Sequence, residues 1–503
     1  MSANMANQKL KALVVGTGLG GLATALRLAK KGYQVSMVEK YHQAGGRLNQ
    51  IRKDGFTFDM GPSFFSMSYE FEEFRQYCGI EMPFEFVELD PLYTVNFAHS
   101  DRRYVIHKDL AKLAEVFHEE GDFEAKMRSY LTQAARLFHD TEHIIIRKNF
   151  DTIAQFATAL ARVPKVHAPK LVRTVWQELS RRFETHEAKV ILSLVAFFLG
   201  ATPFDTPAIY SLLSYTEFWH DGYHNVKGGM YQIVKGMLRE LDKEGVRIDY
   251  GVEIVDYVQL AGTLTGFVDQ TGKLWTADLF VVNSDAAAFR GLVFGREKFS
   301  PKRLDAMEWT LAPFTMYLGV KGKIDSLDQH NYFLGENFKG YAAKIFKTSI
   351  TPDKPYYYVN VLSRHNPDVA PEGCENLFVL CPVPDRRFKP DWSDREELAD
   401  NIIDDLSARC GFDIKANLLT RTLMDPADWE KSFNLYRGSG LGLAHGIPQI
   451  GGFRPKNVDE VFPNVFYVGA STTPGTGLPM VIISSRLVME RVESYTALIP
   501  RPI

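Results

Sequence analysis

Residues 11–39 read KALVVGTGLGGLATALRLAKKGYQVSMVE, and this stretch decides the fold. Lys11–Val15 is a short apolar run typical of a buried parallel strand, and apolar residues at helical spacing follow it as far as Gly32. Gln34–Val38 predicts a second strand that finishes at Glu39. The stretch is therefore predicted to be a β-α-β unit with G-x-G-x-x-G at its first turn.

The glycines of this turn have separate physical tasks. Gly16 permits the tight bend, Gly18 lets backbone N–H groups approach a pyrophosphate, and Gly21 lets the helix pack closely on the strand. Glu39 lies 23 positions after Gly16, where a carboxylate can accept hydrogen bonds from ribose hydroxyls. An acid at this position disfavours a 2′-phosphate. The unit therefore predicts a site for FAD or NAD rather than NADP.

Two further motifs distinguish these cofactors: Gly45-Gly46-Arg47, and Asp59-Met60-Gly61-Pro62-Ser63. With them the chain resembles the family of flavin-dependent amine oxidases and carotenoid desaturases. The resemblance implies that the Gly-Gly-Arg loop crosses FAD with Arg47 near its phosphates, and that the Asp-x-Gly-Pro turn approaches the flavin. An NAD dehydrogenase has no reason to carry these elements, so the expected cofactor is FAD.

The far end of the chain carries a second signal, because residues 464–480 read NVFYVGASTTPGTGLPM. Val465–Val468 predicts a strand, and Val481–Val488 predicts the start of a helix. A helix N-terminus can place its dipole and free N–H groups against an anionic or electron-rich ligand edge. The run resembles the C-terminal signature of bacterial-type phytoene desaturases, as do residues 438–455 and Gly228-Gly229-Met230. The resemblance thus extends from end to end of the chain.

The motifs and the resemblance together give a set of expected FAD-binding residues. Ile254 enters this set as the backbone contact to adenine that the family makes from an equivalent strand. The full set is Gly16, Gly18, Leu19, Gly20, Gly21, Glu39, Lys40, Gly46, Arg47, Leu48, Gly61, Pro62, Ser63, Ile254, Ser284, Gly469, Ala470, Leu478, Pro479, Met480 and Val481.

The predicted fold class is α/β, with a Rossmann-like FAD-binding domain of the amine-oxidase type, a β-sheet substrate domain and a helical membrane-associating region. The FAD-binding domain is expected to be discontinuous, built from residues 1–90, 226–298 and 450–503. Residues 91–225 are expected to form the helical region that contacts substrate and membrane. Residues 299–449 are expected to form the substrate-binding domain, with a mixed sheet that includes Phe314–Val320, Tyr356–Val361 and Leu377–Val383.

One part of the helical region is strongly basic. Only Asp151 and Glu178 oppose eight cations: Arg147, Lys148, Arg162, Lys165, Lys170, Arg173, Arg181 and Arg182. Apolar residues lie between them, including Phe150, Phe156 and Trp176. A basic amphipathic segment with Trp and Phe can lie in the headgroup layer of an anionic membrane. The alternative is a solvated helix face that packs on its own domain.

Composition bounds the remaining possibilities. Lys and Arg number 58 against 61 Asp and Glu, a formal net charge of −3, which argues against a dedicated nucleic-acid binder. The four dispersed cysteines make neither a disulfide scaffold nor a zinc site. No signal peptide is evident and no apolar run approaches the roughly 18 to 20 residues of a spanning helix, so a cytoplasmic, peripherally membrane-associated protein is expected. Aromatic residues at 13% suit a long apolar cavity or simply a large core.

No hydrolytic or metal-binding signature is present, and no metal is expected. We therefore assign the hard chemical step to the flavin, which would accept a hydride while a proton leaves the adjacent carbon. The residual cation would be delocalised along a polyene, so a strong base is not required. Glu217 and His220, which precede Gly228-Gly229, are the predicted catalytic polar groups near the substrate.

The subtype depends on a single position. Phytoene desaturases usually carry proline two residues before the Gly-Gly-Met element, where this chain has Val226. This favours a 1-hydroxycarotenoid 3,4-desaturase, with phytoene desaturase as the alternative. Further alternatives are a carotene isomerase or retinol saturase, a non-catalytic prenyl-binding escort of the GDI type, and an amine oxidase. The expected partners are a lipophilic carotenoid, a membrane surface, and oxygen or a quinone as electron acceptor.

Overall fold

The computed structural model describes residues 9–349, 351 and 354–498. The strands are β1 (Lys11–Val15), β2 (Gln34–Glu39), β3 (Gln50–Lys53), β4 (Phe56–Asp59), β5 (Phe86–Glu88), β6 (Tyr93–Phe97), β7 (Arg103–Ile106), β8 (His224–Val226), β9 (Arg247–Tyr250), β10 (Ile254–Leu260), β11 (Thr263–Asp269), β12 (Leu274–Thr276), β13 (Leu279–Val282), β14 (Ala312–Lys321), β15 (His330–Leu334), β16 (Tyr357–Asn360), β17 (Cys374–Val383), β18 (Leu418–Met424) and β19 (Val465–Tyr467).

Along the chain, helices lie between these strands and after the last of them. They are α1 (Leu19–Lys30), α2 (Tyr69–Cys78), α3 (Leu110–Val116), α4 (Phe123–Thr141), α5 (Ile153–Arg162), α6 (Pro169–Val172), α7 (Val175–Ser180), α8 (His186–Ser193), α9 (Val195–Phe198), α10 (Leu212–Tyr215), α11 (Tyr231–Lys243), α12 (Ala286–Leu292), α13 (Pro301–Asp305), α14 (Phe338–Ile345), α15 (Arg395–Cys410), α16 (Pro426–Phe433) and α17 (Leu478–Thr496). Two π-helical turns, Glu142–Ile146 and Thr216–His220, follow α4 and α10.

A five-stranded parallel sheet, in the order β19-β13-β1-β2-β9, forms the centre of one half of the molecule. Its strands come from three separate parts of the chain, each inside one segment of the predicted FAD-binding domain. One face is covered by α1, α2, α11 and α17, and the other by the β10-β11-β12 sheet. Burial on both faces explains why β1 reads as a continuous apolar run rather than an alternating one. The α/β class is confirmed.

A seven-stranded mixed sheet, in the order β18-β14-β17-β16-β15-β6-β7, forms the other half. β14 and β17 pair antiparallel over ten residues, from Ala312 opposite Val383 to Lys321 opposite Cys374. Helix α15 covers one face. The opposite face packs on β4, and the Tyr317 hydroxyl there donates a hydrogen bond to the Met60 carbonyl at 2.7 Å. The two halves are therefore joined directly beside the Asp-x-Gly-Pro turn.

Two local expectations need correction. Residues 91–225 do not begin as a helix, because β6 and β7 extend the seven-stranded sheet, as the β-branched and aromatic composition of Tyr93–Phe97 favours. The sequence of Val246–Val258 predicts one strand after α11, and the structure has two strands there. Gly251, at φ +72°, separates β9 in the parallel sheet from β10 in the three-stranded sheet. In the described part of the chain, no helix is both long and apolar enough to cross a bilayer.

The turn between β1 and α1 leaves no room for a Cβ at its glycines. Gly16 has φ +95°, and a Cβ on Gly21 would lie 2.1 Å from the Gly16 carbonyl oxygen. Replacing Gly21 by alanine would gain about 1 kcal/mol of helix propensity. It would also force a backbone atom to move, and overpacking of this kind typically costs about 1–3 kcal/mol.

We therefore expect Gly21→Ala to lower the midpoint of chemical unfolding, because the clash involves two backbones that cannot rotate away. Gly121→Ala is the matched control, since nothing lies within 4 Å of a Cβ placed at Gly121. Its effect should stay within about 0.5 kcal/mol. Equal midpoints for the two variants would contradict this account of the turn.

Candidate functional site

A cavity of about 820 Å³ lies at the carboxyl ends of the parallel strands and continues along the seven-stranded sheet. Openings at the carboxyl ends of parallel strands are where α/β proteins bind ligands, and this volume suits a large organic ligand. One end is lined by glycine-rich loops and the other by aromatic side chains. All of the residues predicted to bind FAD line this cavity except Gly21, which lies beneath the β1–α1 turn.

The glycine-rich end has the form of a nucleotide cradle. A Cβ on Gly18 would lie 2.8 Å from the Asn283 amide oxygen, and a Cβ on Gly46 would lie 3.2 Å from the Gly18 Cα. A side chain at either position would collide with the chain itself, so glycine lets these loops approach each other and leaves their backbone open to the cavity. The residues present thus fit FAD.

Glu39 stands at the end of β2 on the cavity wall, and its buried carboxylate is fixed by the chain around it. It accepts hydrogen bonds from the Thr17 amide at 2.7 Å, the Thr17 hydroxyl at 2.6 Å and the Tyr41 amide at 2.8 Å. Lys40 beside it forms a 2.9 Å ion pair with Glu253. The acid is therefore held in place before any ribose arrives, which reduces the entropy cost of binding.

Asn283 lines the cavity and is absent from the predicted set, which names its neighbour Ser284. Its side-chain amide donates to the Val468 carbonyl at 3.0 Å, and its amide oxygen is buried without a hydrogen-bond partner among the described residues. Added Cβ atoms on Gly18, Gly21 and Gly469 would all come within 3.0 Å of Asn283. Its position at the end of the strand adjacent to β1 was the signal that could have found it.

Arg47 and Asp285 place opposite charges on the cavity wall. The Arg47 guanidinium donates to the Gly440 carbonyl at 3.0 Å. Burial lowers the pKa of Arg47 and raises that of Asp285, while the attraction between the two groups opposes both shifts. Asp285 also caps α12 by accepting from two backbone amides of its first turn, and it accepts a hydrogen bond from the Ser471 hydroxyl. It therefore joins the middle and C-terminal segments of the domain.

Asp59 opens the Asp-x-Gly-Pro turn but does not line the cavity. Its carboxylate accepts hydrogen bonds from the amides of Met230 at 2.8 Å and Tyr231 at 3.2 Å, at the start of α11. Burial raises the pKa of Asp59 to about 6, and those two hydrogen bonds act in the opposite direction. A Cβ on Gly229, where φ is +94°, would lie 3.0 Å from this carboxylate. The Asp59 and Gly228-Gly229-Met230 motifs are thus two sides of one junction.

The C-terminal signature brings a helix end to the cavity. α17 begins at Leu478, three residues before the predicted start, with Pro479 in its first turn. Leu478, Pro479, Met480 and Val481 all line the cavity. Pro479 has no N–H and the Val481 N–H donates to the Gly477 carbonyl at 2.9 Å, so the N–H groups of Leu478 and Met480 are the ones left without partners inside the helix. With the positive end of the helix dipole they favour an electron-rich ligand edge.

The opposite end of the cavity is apolar and aromatic. Phe64 and Tyr223 lie with ring centres 4.5 Å apart, and Tyr341 stacks on Tyr356 at 3.9 Å. The remaining large side chains on this wall are Leu194, Val195, Phe197, Phe198, Leu199, Leu213, Leu311, Tyr332, Leu334, Phe338, Tyr358, Phe378, Leu380 and Trp429. A share of the chain's high aromatic content therefore lines a space suited to a long hydrocarbon.

Glu217 lies behind this wall rather than on it. The Tyr93 hydroxyl donates to its carboxyl at 2.8 Å, and Tyr223, whose ring lines the cavity, also hydrogen-bonds it. Burial raises the pKa of Glu217 to about 8, against the lowering effect of the two tyrosines. No lysine or arginine in the described part of the chain is among its hydrogen-bond or charge partners. The carboxyl is therefore mostly neutral at pH 7.

His220 does not share this environment. The π-helical turn directs Glu217 inward and leaves His220 exposed, where its ring stacks on Tyr215 at 5.1 Å and lies beside His139. It does not line the cavity. The π-helical turn places the two side chains on different faces, so the position of His220 does not support the prediction that it approaches the substrate.

The basic segment after α4 is less uniform than its sequence indicated. Lys170 is buried and pairs with Glu178 at 2.8 Å, and Trp176 packs on Phe204 rather than facing solvent. Phe150 and Phe156 are also buried. Exposed apolar side chains remain at Ile153, Leu160, Val166, Leu171 and Val172. Four exposed cations make no ion pair with described residues, namely Lys148, Arg162, Lys165 and Arg181.

Comparisons with known proteins identify the family of the chain. The model of the flavin-containing amine oxidoreductase family matches residues 19–492. A zeta-carotene-forming phytoene desaturase of Myxococcus xanthus is 33% identical over 98% of this chain and 96% of its own. A phytoene desaturase of Fusarium fujikuroi is 30% identical over 97% of this chain and 90% of its own. Among solved structures, a triple mutant of putrescine oxidase aligns with a TM-score of 0.63 at 12% identity, covering 97% of this chain and 99% of its own, which shows the fold alone.

The chain therefore belongs to the carotenoid desaturase branch of the flavin-containing amine oxidoreductase family, and it is an FAD-dependent oxidoreductase.

The raised pKa of Glu217 predicts how the stability of the protein depends on pH. Its pKa of about 8 in the folded protein exceeds the ordinary value of 4.5, so the unfolded chain loses this proton first. Glu217 should therefore lower wild-type stability as pH rises from about 4.5 to about 8. Glu217→Gln should remove this part of the loss and leave the part that the raised pKa of Asp59 causes. Since one pKa unit is worth about 1.4 kcal/mol, the difference should reach a few kcal/mol.

Thermal unfolding midpoints across this pH range provide the measurement. Glu372→Gln, at an exposed position, serves as the control and should follow the wild type at every pH. If Glu217→Gln also runs parallel to the wild type, the buried neutral carboxyl is refuted.

Proposed function

We propose that the protein is a carotenoid desaturase that removes hydrogen from adjacent carbons of an acyclic carotenoid. The observation that carries the proposal is the continuity of one cavity from a glycine-rich nucleotide cradle to an aromatic apolar chamber. A long hydrocarbon in the chamber would approach the inner end of a dinucleotide in the cradle. The sequence similarity to two phytoene desaturases supports this substrate class.

Bound FAD would supply the hydride acceptor. The β1–α1 turn would hold its pyrophosphate, Glu39 its ribose, and Arg47 its phosphates. The first turn of α17 would face the flavin and favour negative charge there. The motif residues that line the cavity are thus assigned to the cofactor.

The aromatic wall has two tasks in this proposal. It excludes water from the reacting carbons, and it restricts the polyene to an extended path, so that one C–H bond is held in line for transfer. Glu217 adds no fixed negative charge to this chamber, because burial keeps it protonated near neutral pH. Its hydrogen bond orients Tyr223, whose ring forms part of the wall. We assign Glu217 to positioning of that wall.

The position of Val226 weakens the argument for one subtype. Val226 is fully buried in β8, opposite Phe86 of β5, and does not line the cavity. The residue that favoured a 1-hydroxycarotenoid 3,4-desaturase therefore makes no contact with the chamber. The hydroxycarotenoid substrate stays a prediction, and phytoene is supported by the names of the relatives.

The substrate test uses purified protein with FAD and liposomes that contain either phytoene or a 1-hydroxy carotenoid. We expect products with longer conjugation, separated by pigment chromatography, from at least one of the two. Desaturation of the hydroxy carotenoid alone supports the 3,4-desaturase, and desaturation of phytoene alone rejects it. Parallel reactions with oxygen and with a quinone identify the acceptor. Loss of flavin absorbance from protein reconstituted with FAD, or no product from either carotenoid, would refute the proposed function.

We also propose that the exposed part of the basic segment docks on an anionic lipid surface. Val172 is 84% exposed, Val166 74% and Ile153 60%, and exposed cations lie between them. Apolar side chains flanked by unpaired cations gain both burial and electrostatic attraction at a headgroup layer. A substrate dissolved in lipid would need such a contact to reach the cavity.

The combined variant Ile153→Asp/Val172→Asp should lose most binding to vesicles that contain anionic lipid, measured by co-sedimentation. The change removes apolar area and adds two negative charges at exposed positions, so FAD content should not change. Leu260→Asp is the matched control, because Leu260 is 73% exposed on β10, outside the basic segment. Undiminished vesicle binding by the double variant would show that another surface makes the contact.

A further inference from the structure

We propose that Arg454 is a positioning residue for the flavin: it holds the turn at Ala470–Thr472 against the cofactor and gives that end of the cavity an unbalanced positive charge that favours the reduced form. The inference rests on the proposed function and deepens it.

Arg454 uses every donor of its guanidinium. The group is buried, and each of its five N–H bonds meets a different main-chain carbonyl. Nε donates to Thr472 at 2.9 Å, Nη1 to Ala444 at 3.1 Å and Gln449 at 3.0 Å, and Nη2 to Leu443 at 3.0 Å and Ala470 at 2.6 Å. One side chain therefore ties two separate loops into a single wall.

The clamped turn is part of the cofactor end of the cavity. Ala470 and Ser471 line it, and the chain continues from this turn to the first turn of α17. Because Arg454 holds the carbonyls of Ala470 and Thr472 from behind, these carbonyls point away from the cavity. The guanidinium lies directly behind a wall formed by only one layer of backbone.

Within residues 9–349, 351 and 354–498, no carboxylate hydrogen-bonds to this cation. Burial lowers the pKa of Arg454 to about 10, while Tyr210 and Asp285 raise it, so the group stays charged at neutral pH. Asp285 is the acid that faces both Arg47 and Arg454, which leaves two cations against one anion. His445 adds no charge, because its Nε2 accepts a hydrogen bond from the Thr476 amide at 3.1 Å and burial lowers its pKa strongly.

A surplus of positive charge behind the flavin has a definite redox consequence. Reduction adds electrons to the flavin, and a cation in a poorly solvated wall binds the electron-rich form more tightly. A purely structural clamp would instead affect the oxidised and reduced forms equally. The midpoint potential of the bound flavin separates these two roles.

The experiment compares wild-type holoenzyme with Arg454→Met and Arg454→Lys. We expect Arg454→Met to reduce the preference for reduced over oxidised FAD at least tenfold, a fall of about 30 mV for a two-electron couple. Arg454→Lys keeps the charge but offers three donors to five carbonyls, so it should weaken FAD binding at least tenfold while its potential stays close to wild type. Dye-equilibrated potentiometry and FAD titration give the two readouts.

Arg364→Met is the matched control, since Arg364 pairs with Glu375 at 3.0 Å and does not line the cavity. Its potential and FAD affinity should equal those of the wild type. A wild-type potential in Arg454→Met overturns the electrostatic role, and wild-type FAD affinity in Arg454→Lys overturns the clamp. If Arg454→Met does not fold, the neutral Arg454→Gln, which keeps hydrogen-bond donors, replaces it in the potential measurement, and a wild-type potential in that variant overturns the electrostatic role. A wild-type protein that retains no FAD refutes the proposed function instead.

Discussion

The close approach of the β1–α1 turn to the end of β13 is the constraint on which the site depends. Gly18 and Gly21 lie so near Asn283 that no Cβ fits between them, and Gly469 approaches the same residue from the C-terminal segment. Asn283 bonds to the Val468 carbonyl across this point. Three segments separated by hundreds of residues thus converge on one amide side chain, and the open space beside it forms the cradle.

The two ends of the cavity follow from the two sheets that enclose it. The parallel sheet presents the ends of its strands, where backbone N–H groups and a helix dipole meet a charged ligand. The mixed sheet presents a flat face, where alternating side chains give a continuous apolar wall. The Tyr317 bond to Met60 fixes these surfaces side by side. A cofactor and a hydrocarbon can therefore meet without water between them.

The sequence predicted most of what is local. β1, β2 and the turn between them carry their own signals, and so do the strands around Phe314–Val320 and Leu377–Val383, because strand and turn preferences act over a few residues. Features that depend on packing between distant segments are harder to predict from the sequence. The inward orientation of Glu217 and the exposure of His220 follow from a π-helical turn, which no short sequence pattern predicts. Asn283 and Arg454 act through contacts with remote segments, so spacing within one motif cannot reveal them.

The charges of the site are separated along the cavity in a way that suits hydride removal from a hydrocarbon. Guanidinium groups and a helix N-terminus stand at the cofactor end, where negative charge would collect. At the hydrocarbon end the buried acid beside the chamber, Glu217, has its pKa raised and is surrounded by tyrosines rather than cations. An ionised Glu217 would attract positive charge to the wall of the chamber and would draw water into the chamber. Keeping that acid neutral leaves a field that points from the cationic cofactor end toward the hydrocarbon, and such a field draws a negatively charged hydride toward the cofactor.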